Sequence, residues 1–172
     1  MKINVDDLSH PEVIALLEEH LRQMIAVTPA GSVHALDVDA LKKPDITFWS
    51  VWDGPVLVGC GALKKLDRYH AEIKSMRTAT AHQGKGIATR AVKSITDYGI
   101  RDLGLQRIFA EPYVTNPASA RVLEKAGFTR EGILRANVFK DGQVLDQFLY
   151  SYIADLSVRP LADAAGEAPD PA

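Results

Sequence analysis

The spacing of apolar residues along the chain changes period several times, and each change predicts an element. Residues 1–5 alternate as a short first strand. Val13, Leu16, Leu17, Leu21, Met24 and Ile25 then fall on one helical face. The helix is entered through Ser9-x-x-Glu12, a capping-box pattern, with Pro11 in its first turn. It is expected to end by Pro29-Ala30-Gly31, and a second short helix over residues 37–43 should stop before Pro44. Period two follows. Residues 46–52 read as a strand, Asp53-Gly54 as a tight turn, 56–66 as the antiparallel partner and 70–80 as the third strand of a meander. Ile87, Ala91, Ile95 and Tyr98 return to helical spacing, with Gly99 and Gly104 bracketing the helix end. Residues 106–113 predict a strand and 116–126 a helix closed by Gly127. Two more strands follow from Phe128, joined by a hairpin at Lys140-Asp141-Gly142.

Strand, helices, three strands, helix, strand, helix and two strands describe an α+β (α/β three-layer) domain around a mostly antiparallel sheet. It should occupy residues 1–156. Beyond Leu156 the chain turns to Ala, Pro, Gly and acidic residues without apolar periodicity, so residues 157–172 are expected to be a disordered tail.

Composition removes several classes of function. At 172 residues, 47% hydrophobic and 24% charged, the chain can bury a core without disulfides. A net charge of −2 argues against a nucleic-acid partner bound through phosphate neutralisation. The lone Cys60 rules out an internal disulfide and multi-cysteine zinc sites, and its apolar strand context predicts a buried, inert thiol. The opening residues carry no apolar leader core and no run reaches membrane-spanning length, so a cytoplasmic chain without membrane or metal is expected.

The most informative stretch is Gln83-Gly84-Lys85-Gly86-Ile87-Ala88, between a predicted strand and a predicted helix. Glycines at such a turn let backbone N–H groups converge, and the helix N-terminus adds its positive dipole end, which together suit a pyrophosphate. A Walker-type loop is excluded because Lys85 precedes the second glycine. A dinucleotide fingerprint is excluded because Thr89 stands where a third small residue is needed. What remains, Gln-x-x-Gly-x-Ala, resembles the coenzyme A pyrophosphate loop of the GCN5-related N-acetyltransferase (GNAT) superfamily. Asn116-Pro117-Ala118-Ser119-Ala120-Arg121-Val122-Leu123-Glu124-Lys125-Ala126-Gly127-Phe128 resembles the second motif of that family. The resemblance covers roughly residues 1–156 and implies the acyl-CoA N-acyltransferase fold, acetyl-CoA as co-substrate and a primary amine as acceptor.

By that resemblance, backbone N–H groups of Gln83, Gly84, Lys85, Gly86, Ile87, Ala88 and Thr89 would hold the pyrophosphate. Backbone groups of Met76, Arg77 and Thr78 would hold the pantetheine arm, one N–H facing the thioester carbonyl as oxyanion donor. Asn116 reads independently as an N-cap before Pro117, and the resemblance adds a contact to the pantetheine. Ser119 would aim its hydroxyl at the leaving sulfur, with a plain small first-turn residue as the alternative, and Arg121 and Lys125 would meet coenzyme phosphates or simply be solvated.

The base depends on the acceptor. An α-amine of pKa near 8 costs about 1 kcal/mol to deprotonate at pH 7, and a lysine about 4–5 kcal/mol. Glu72 precedes Gln83 by eleven positions, the offset of the basic Glu in histone-type members. Glu111 precedes Asn116 by five, as in a ribosomal N-terminal branch that pairs its base with a tyrosine; Leu123 stands at that tyrosine position here. Glu72 is preferred, and a salt-bridged carboxylate at a strand edge remains the plain alternative for either. Trp49 and Trp52 are expected in the core and on the sheet face.

The two halves differ in accent. Residues up to about Thr80 resemble one acetyltransferase branch, whereas residues 83–153 are similar to the RimJ/RimL branch, which acetylates ribosomal-protein N-termini. The chain is therefore either a divergent member or a chimera joined near the cofactor loop. A different functional class stays open beside the enzyme, a non-catalytic acyl-CoA-binding sensor on the same fold. Exposed strand edges also leave a homodimer open.

Overall fold

The computed structural model describes residues 1–25, 38–140 and 142–155. The expected helix end at Pro29-Ala30-Gly31, the hairpin residue Asp141 and the tail over 157–172 lie outside the described residues. The elements are β1 (Lys2–Val5), α1 (Pro11–Ile25), α2 (Val38–Leu41), β2 (Ile46–Asp53), β3 (Val56–Lys65), β4 (His70–Thr78), α3 (Ile87–Arg101), β5 (Arg107–Ala110), α4 (Pro117–Lys125), β6 (Thr129–Lys140) and β7 (Gln143–Ile153). A 3-10 turn, Thr80–His82, links β4 to α3. The strands form one seven-stranded sheet in the order β1-β2-β3-β4-β5-β7-β6, antiparallel except where β4 runs parallel to β5. Among the described residues no helix is long and apolar enough to cross a membrane.

Two apolar layers hold the sheet between them, as the alternation of each strand requires. On one face α3 and α4 press Val92, Ile95, Ala120 and Leu123 against Leu63, Ala71, Ile73, Ile108 and Tyr150. On the other, α1 and α2 press Val13, Leu16, Leu17 and Leu41 against Phe48, Cys60 and Ala62. That second layer sits on β2 and β3. Glu72, Lys74 and Glu111 alternate with the buried Ala71, Ile73 and Ala110 and are only half-buried. The face of β4 and β5 opposite α3 and α4 is therefore partly open.

The start of α1 departs from the sequence expectation. The N-cap of α1 is His10, whose Nδ1 accepts from the Glu12 backbone N–H at 3.3 Å, while the Ser9 N–H is taken by Asp7 Oδ1 at 3.0 Å. The capping box expected from Ser9 is thus displaced by one residue, and an Asx turn occupies the preceding position. Gly99 and Gly104 bracket the end of α3 at Arg101, as the sequence predicts. Gly99 also permits close helix–sheet packing, because a Cβ there would stand 2.7 Å from Ile108 Cδ1. Trp49 is core, edge-on to Tyr98 at 5.3 Å, and Trp52 lies half-buried with its Nε1 donating to Ser50 Oγ at 2.9 Å.

Candidate active site

The site begins where two strands part. The parallel ladder of β4 and β5 spans His70, Ala71 and Glu72 against Arg107, Ile108 and Phe109. Beyond Glu72, β4 continues to Thr78 while β5 ends at Ala110. On its other edge β4 stays paired with β3. The fork therefore leaves one backbone edge of β4 outside the parallel ladder over the stretch that holds Met76, Arg77 and Thr78.

A bulge shapes that stretch. Cys60 pairs with Arg77 and Ala62 with Lys74, so Ser75 and Met76 together oppose Gly61. Ser75 takes φ +54, in the left-handed region, within this bulge. Gly61 has no side chain because Met76 Sδ occupies the space where a Cβ would be. The Met76 side chain packs into the core, and its backbone is what faces the fork.

At the far end of β4 the glycine turn has the conformation the sequence predicts. Gly84 and Gly86 have φ +75 and +74, with open space where each Cβ would project. Gly86 is the N-cap of α3 and no side chain caps that helix. Its first-turn donors thus point to an exposed surface with the dipole end behind them. Gln83 and Lys85 are exposed beside it, Ile87 is buried as an anchor, and Ala88 and Thr89 are half-buried. Arg90 Nη2 reaches Lys85 O at 3.5 Å and steadies the turn.

At the start of α4, Asn116 Oδ1 accepts from the Ser119 N–H at 3.1 Å, with Pro117 in the first turn. The capping role is therefore present. Ser119 is half-buried and Arg121 exposed.

The fork itself carries the two carboxylates. Glu72 is the last residue of the parallel ladder, and Glu111 follows two positions after its partner Phe109. The structure thus brings both candidate bases to one place. Glu72 is ion-paired with Lys74 Nζ at 3.3 Å. The Glu111 carboxyl is pushed above the ordinary carboxylate range, first by burial and then by the charge of Glu72, with opposing pulls from Asn137 and Lys74.

Sequence reasoning did not assign the neighbours that hold Glu111. Asn137 Nδ2 donates to Glu111 Oε2 at 3.3 Å and to Gln147 Oε1 at 2.8 Å, and Gln147 Nε2 donates to the Glu111 backbone oxygen at 2.5 Å. Asn137 stood within a stretch marked only for its branch resemblance. No one-strand periodicity signals that it would reach across β7. Cys60 is 1% exposed and burial pushes its thiol up to about 12, which removes it as a nucleophile.

Residues 13–128 match the Acetyltransferase (GNAT) family. The chain belongs to that family. Among its relatives, the uncharacterized N-acetyltransferase YsnE of Bacillus subtilis (strain 168) is 48% identical over 97 residues, 56% of this chain and 64% of that protein. The uncharacterized N-acetyltransferase YedL of Escherichia coli (strain K12) is 46% identical over 109 residues, 63% of this chain and 68% of that protein. The matched region thus spans about two thirds of each curated relative. Of the solved structures, the ribosomal-protein-S5-alanine acetyltransferase of Vibrio fischeri superposes with TM-score 0.73 at 23% identity, covering 92% of this chain and 94% of that one. The spermidine N-acetyltransferase of Vibrio cholerae, in complex with CoA and spermine, superposes with TM-score 0.72 at 22% identity, covering 88% and 94%. At those identities the likeness is one of fold, and the fold of this GNAT chain is the one the sequence resemblance implied.

Proposed function

We propose that this chain is an acetyl-CoA-dependent N-acetyltransferase that moves the acetyl group to a primary amine by direct attack in a ternary complex. One observation carries the reading: a strand that leaves its parallel neighbour at two carboxylates runs on into an uncapped glycine turn at a helix N-terminus. The empty Cβ positions at Gly84 and Gly86 fit a pyrophosphate lying against the backbone. When bound, the coenzyme supplies an activated acetyl thioester. The N–H groups of Gln83 to Thr89 hold its phosphates, with Lys85 and Arg121 adding positive charge at the rim. The backbone of Met76, Arg77 and Thr78, which lies beyond the parallel ladder with β5, orients the pantetheine arm. Asn116 keeps its Nδ2 for that arm while its Oδ1 caps α4, and the Ser119 hydroxyl donates to the departing sulfur.

The geometry moves the weight for the base from Glu72 to Glu111. A base works best with a pKa near the working pH, and burial together with the Glu72 charge pushes Glu111 in that direction. Glu72 is already engaged with Lys74. In this assignment Glu111 accepts the amine proton and Glu72 keeps it basic. The buried Cys60 leaves no cysteine for an acyl-enzyme, which supports direct attack. The alanine of ribosomal protein S5 and spermidine, named for the two structural neighbours, both offer amines as acceptors. The cleft draws Glu72 and Lys74 from the first half of the chain and Glu111, Asn137 and Gln147 from the second. The substrate of either half's branch therefore does not transfer on its own, whether the chain is a divergent member or a joined one.

Thiol release from acetyl-CoA, followed with a panel of α-amino peptides, lysine peptides and small amines, tests the reading. At least one class should accelerate release in proportion to enzyme. Tight acetyl-CoA binding with no acceleration by any amine would instead support an acyl-CoA sensor.

A further inference from the structure

The β6 strand carries an irregularity that the acetyltransfer reading does not use. Leu134 pairs with Gln147 and Val138 with Leu145, so residues 135–137 bulge over the single residue Asp146. Ala136 sits at φ +52 in this bulge, and its N–H is held by Asp146 Oδ1 at 2.8 Å. An αL alanine is costly without such a fastening. The bulge re-aims Asn137 across β7, where its Nδ2 bridges Gln147 Oε1 and Glu111 Oε2. Gln147 closes the loop onto the Glu111 backbone oxygen, and Tyr113 bridges to Gln147 so that the chain after β5 lies along β7.

We propose that Asn137, locked by Gln147 and presented by the β6 bulge, is a positioning residue that holds the Glu111 carboxylate at the fork to receive the acceptor's proton. The inference rests on the acetyltransfer reading above. In the step it serves, an amine N–H bond breaks, an O–H bond forms on Glu111 and the proton then leaves to water. The groups facing Glu111 are Glu72 and Lys74 from β4, Asn137 from β6 and Gln147 from β7. Asn137 offers only donors to the carboxylate, so it favours the charged form. Its loss should make Glu111 harder to ionise.

The test is the pH dependence of kcat/KM for the best amine, measured on wild type, Asn137→Ala, Asn137→Asp, Glu72→Gln and Glu111→Gln. It is run beside a carbon-13 titration of the Glu111 carboxyl, assigned by its disappearance in Glu111→Gln. Asn137→Ala should move the acid limb and the NMR midpoint upward together by about half to one pH unit. Asn137→Asp should move them further, because it adds a negative charge. Glu72→Gln should move both downward. The KM for acetyl-CoA should stay near wild type in all four, since none of these side chains is placed on the coenzyme. Limb and midpoint unmoved by Asn137→Ala would overturn the role of Asn137 while leaving acetyl transfer standing. A Glu111→Gln enzyme that keeps wild-type rate and limb would overturn it too, by removing Glu111 as the base. A wild-type protein that turns over no amine sinks the acetyltransfer reading, and with it any part for Asn137 in the reaction.

Discussion

Gly86 concentrates the coenzyme argument in one residue. Its φ of +74 suits glycine, it caps α3 without a side chain, and the space beside it is open. Any L-residue there meets backbone strain of about 1–2 kcal/mol, and Glu adds a negative charge where phosphate belongs. Gly86→Glu should remain folded by circular dichroism yet lose acetyl-CoA affinity by tenfold or more in calorimetric titration. Undiminished affinity in the folded variant would move the pyrophosphate elsewhere. Glu111 and Glu72 show what the sequence could and could not say at this scale. Both were legible as candidates from their offsets to Gln83 and Asn116. That they share one fork follows only from the ladder between β4 and β5, a pairing that no local pattern encodes. Asn137 was less legible still, because its partner residues lie ten and twenty-six positions away.

Among the elements, the β5–β7–β6 edge of the sheet has its own electrostatic fastening. Arg107 on β5 makes a two-pronged pair with Glu131 on β6, at 2.7 and 2.5 Å, and Ser151 on the intervening β7 donates to the same carboxylate at 2.6 Å. These contacts hold the Glu131 carboxyl down at about 2. A carboxyl lowered on folding contributes stability that is fully present above its unfolded value near 4.3 and is lost as pH falls toward the folded value. Glu131→Gln should therefore lower the melting temperature at pH 7, and the difference from wild type should shrink between about pH 4.3 and pH 2. A difference that persists unchanged at pH 2 would assign the effect to packing. Element type and order were readable because the apolar period switches cleanly between two and 3.6. Details set by tertiary contact were not. Gly99 marks the approach to the helix end, but its second role, making room for Ile108 and Leu105, shows only in the packing. His10 caps α1 because Asp7 turns the chain at Ser9 first. Among the bulges, those at Ser75 and Ala136 interrupt strands whose sequence alternation gave no warning of them.

At the scale of the whole molecule, β4 carries Glu72 near its start and is followed after its end by the glycine turn. In the proposed reading a ligand lying along that strand would span from phosphate socket to proton acceptor. α4 is the next helix after β5, and Asn116 and Ser119 lie at its start. Acceptor and coenzyme would thus meet on backbone set by the sheet, with side chains contributed by both halves of the chain. In the proposed reaction acetyl passes from coenzyme to amine with no covalent stop on the protein. Its most direct test follows the label from acetyl-CoA radiolabelled in the acetyl group. Incubated without amine, the denatured and filtered protein should carry no label. On adding the best amine of the panel, label should appear on that amine in step with free thiol, one for one. Label retained on the protein, or label that stays with the coenzyme whatever amine is added, would rule out direct transfer.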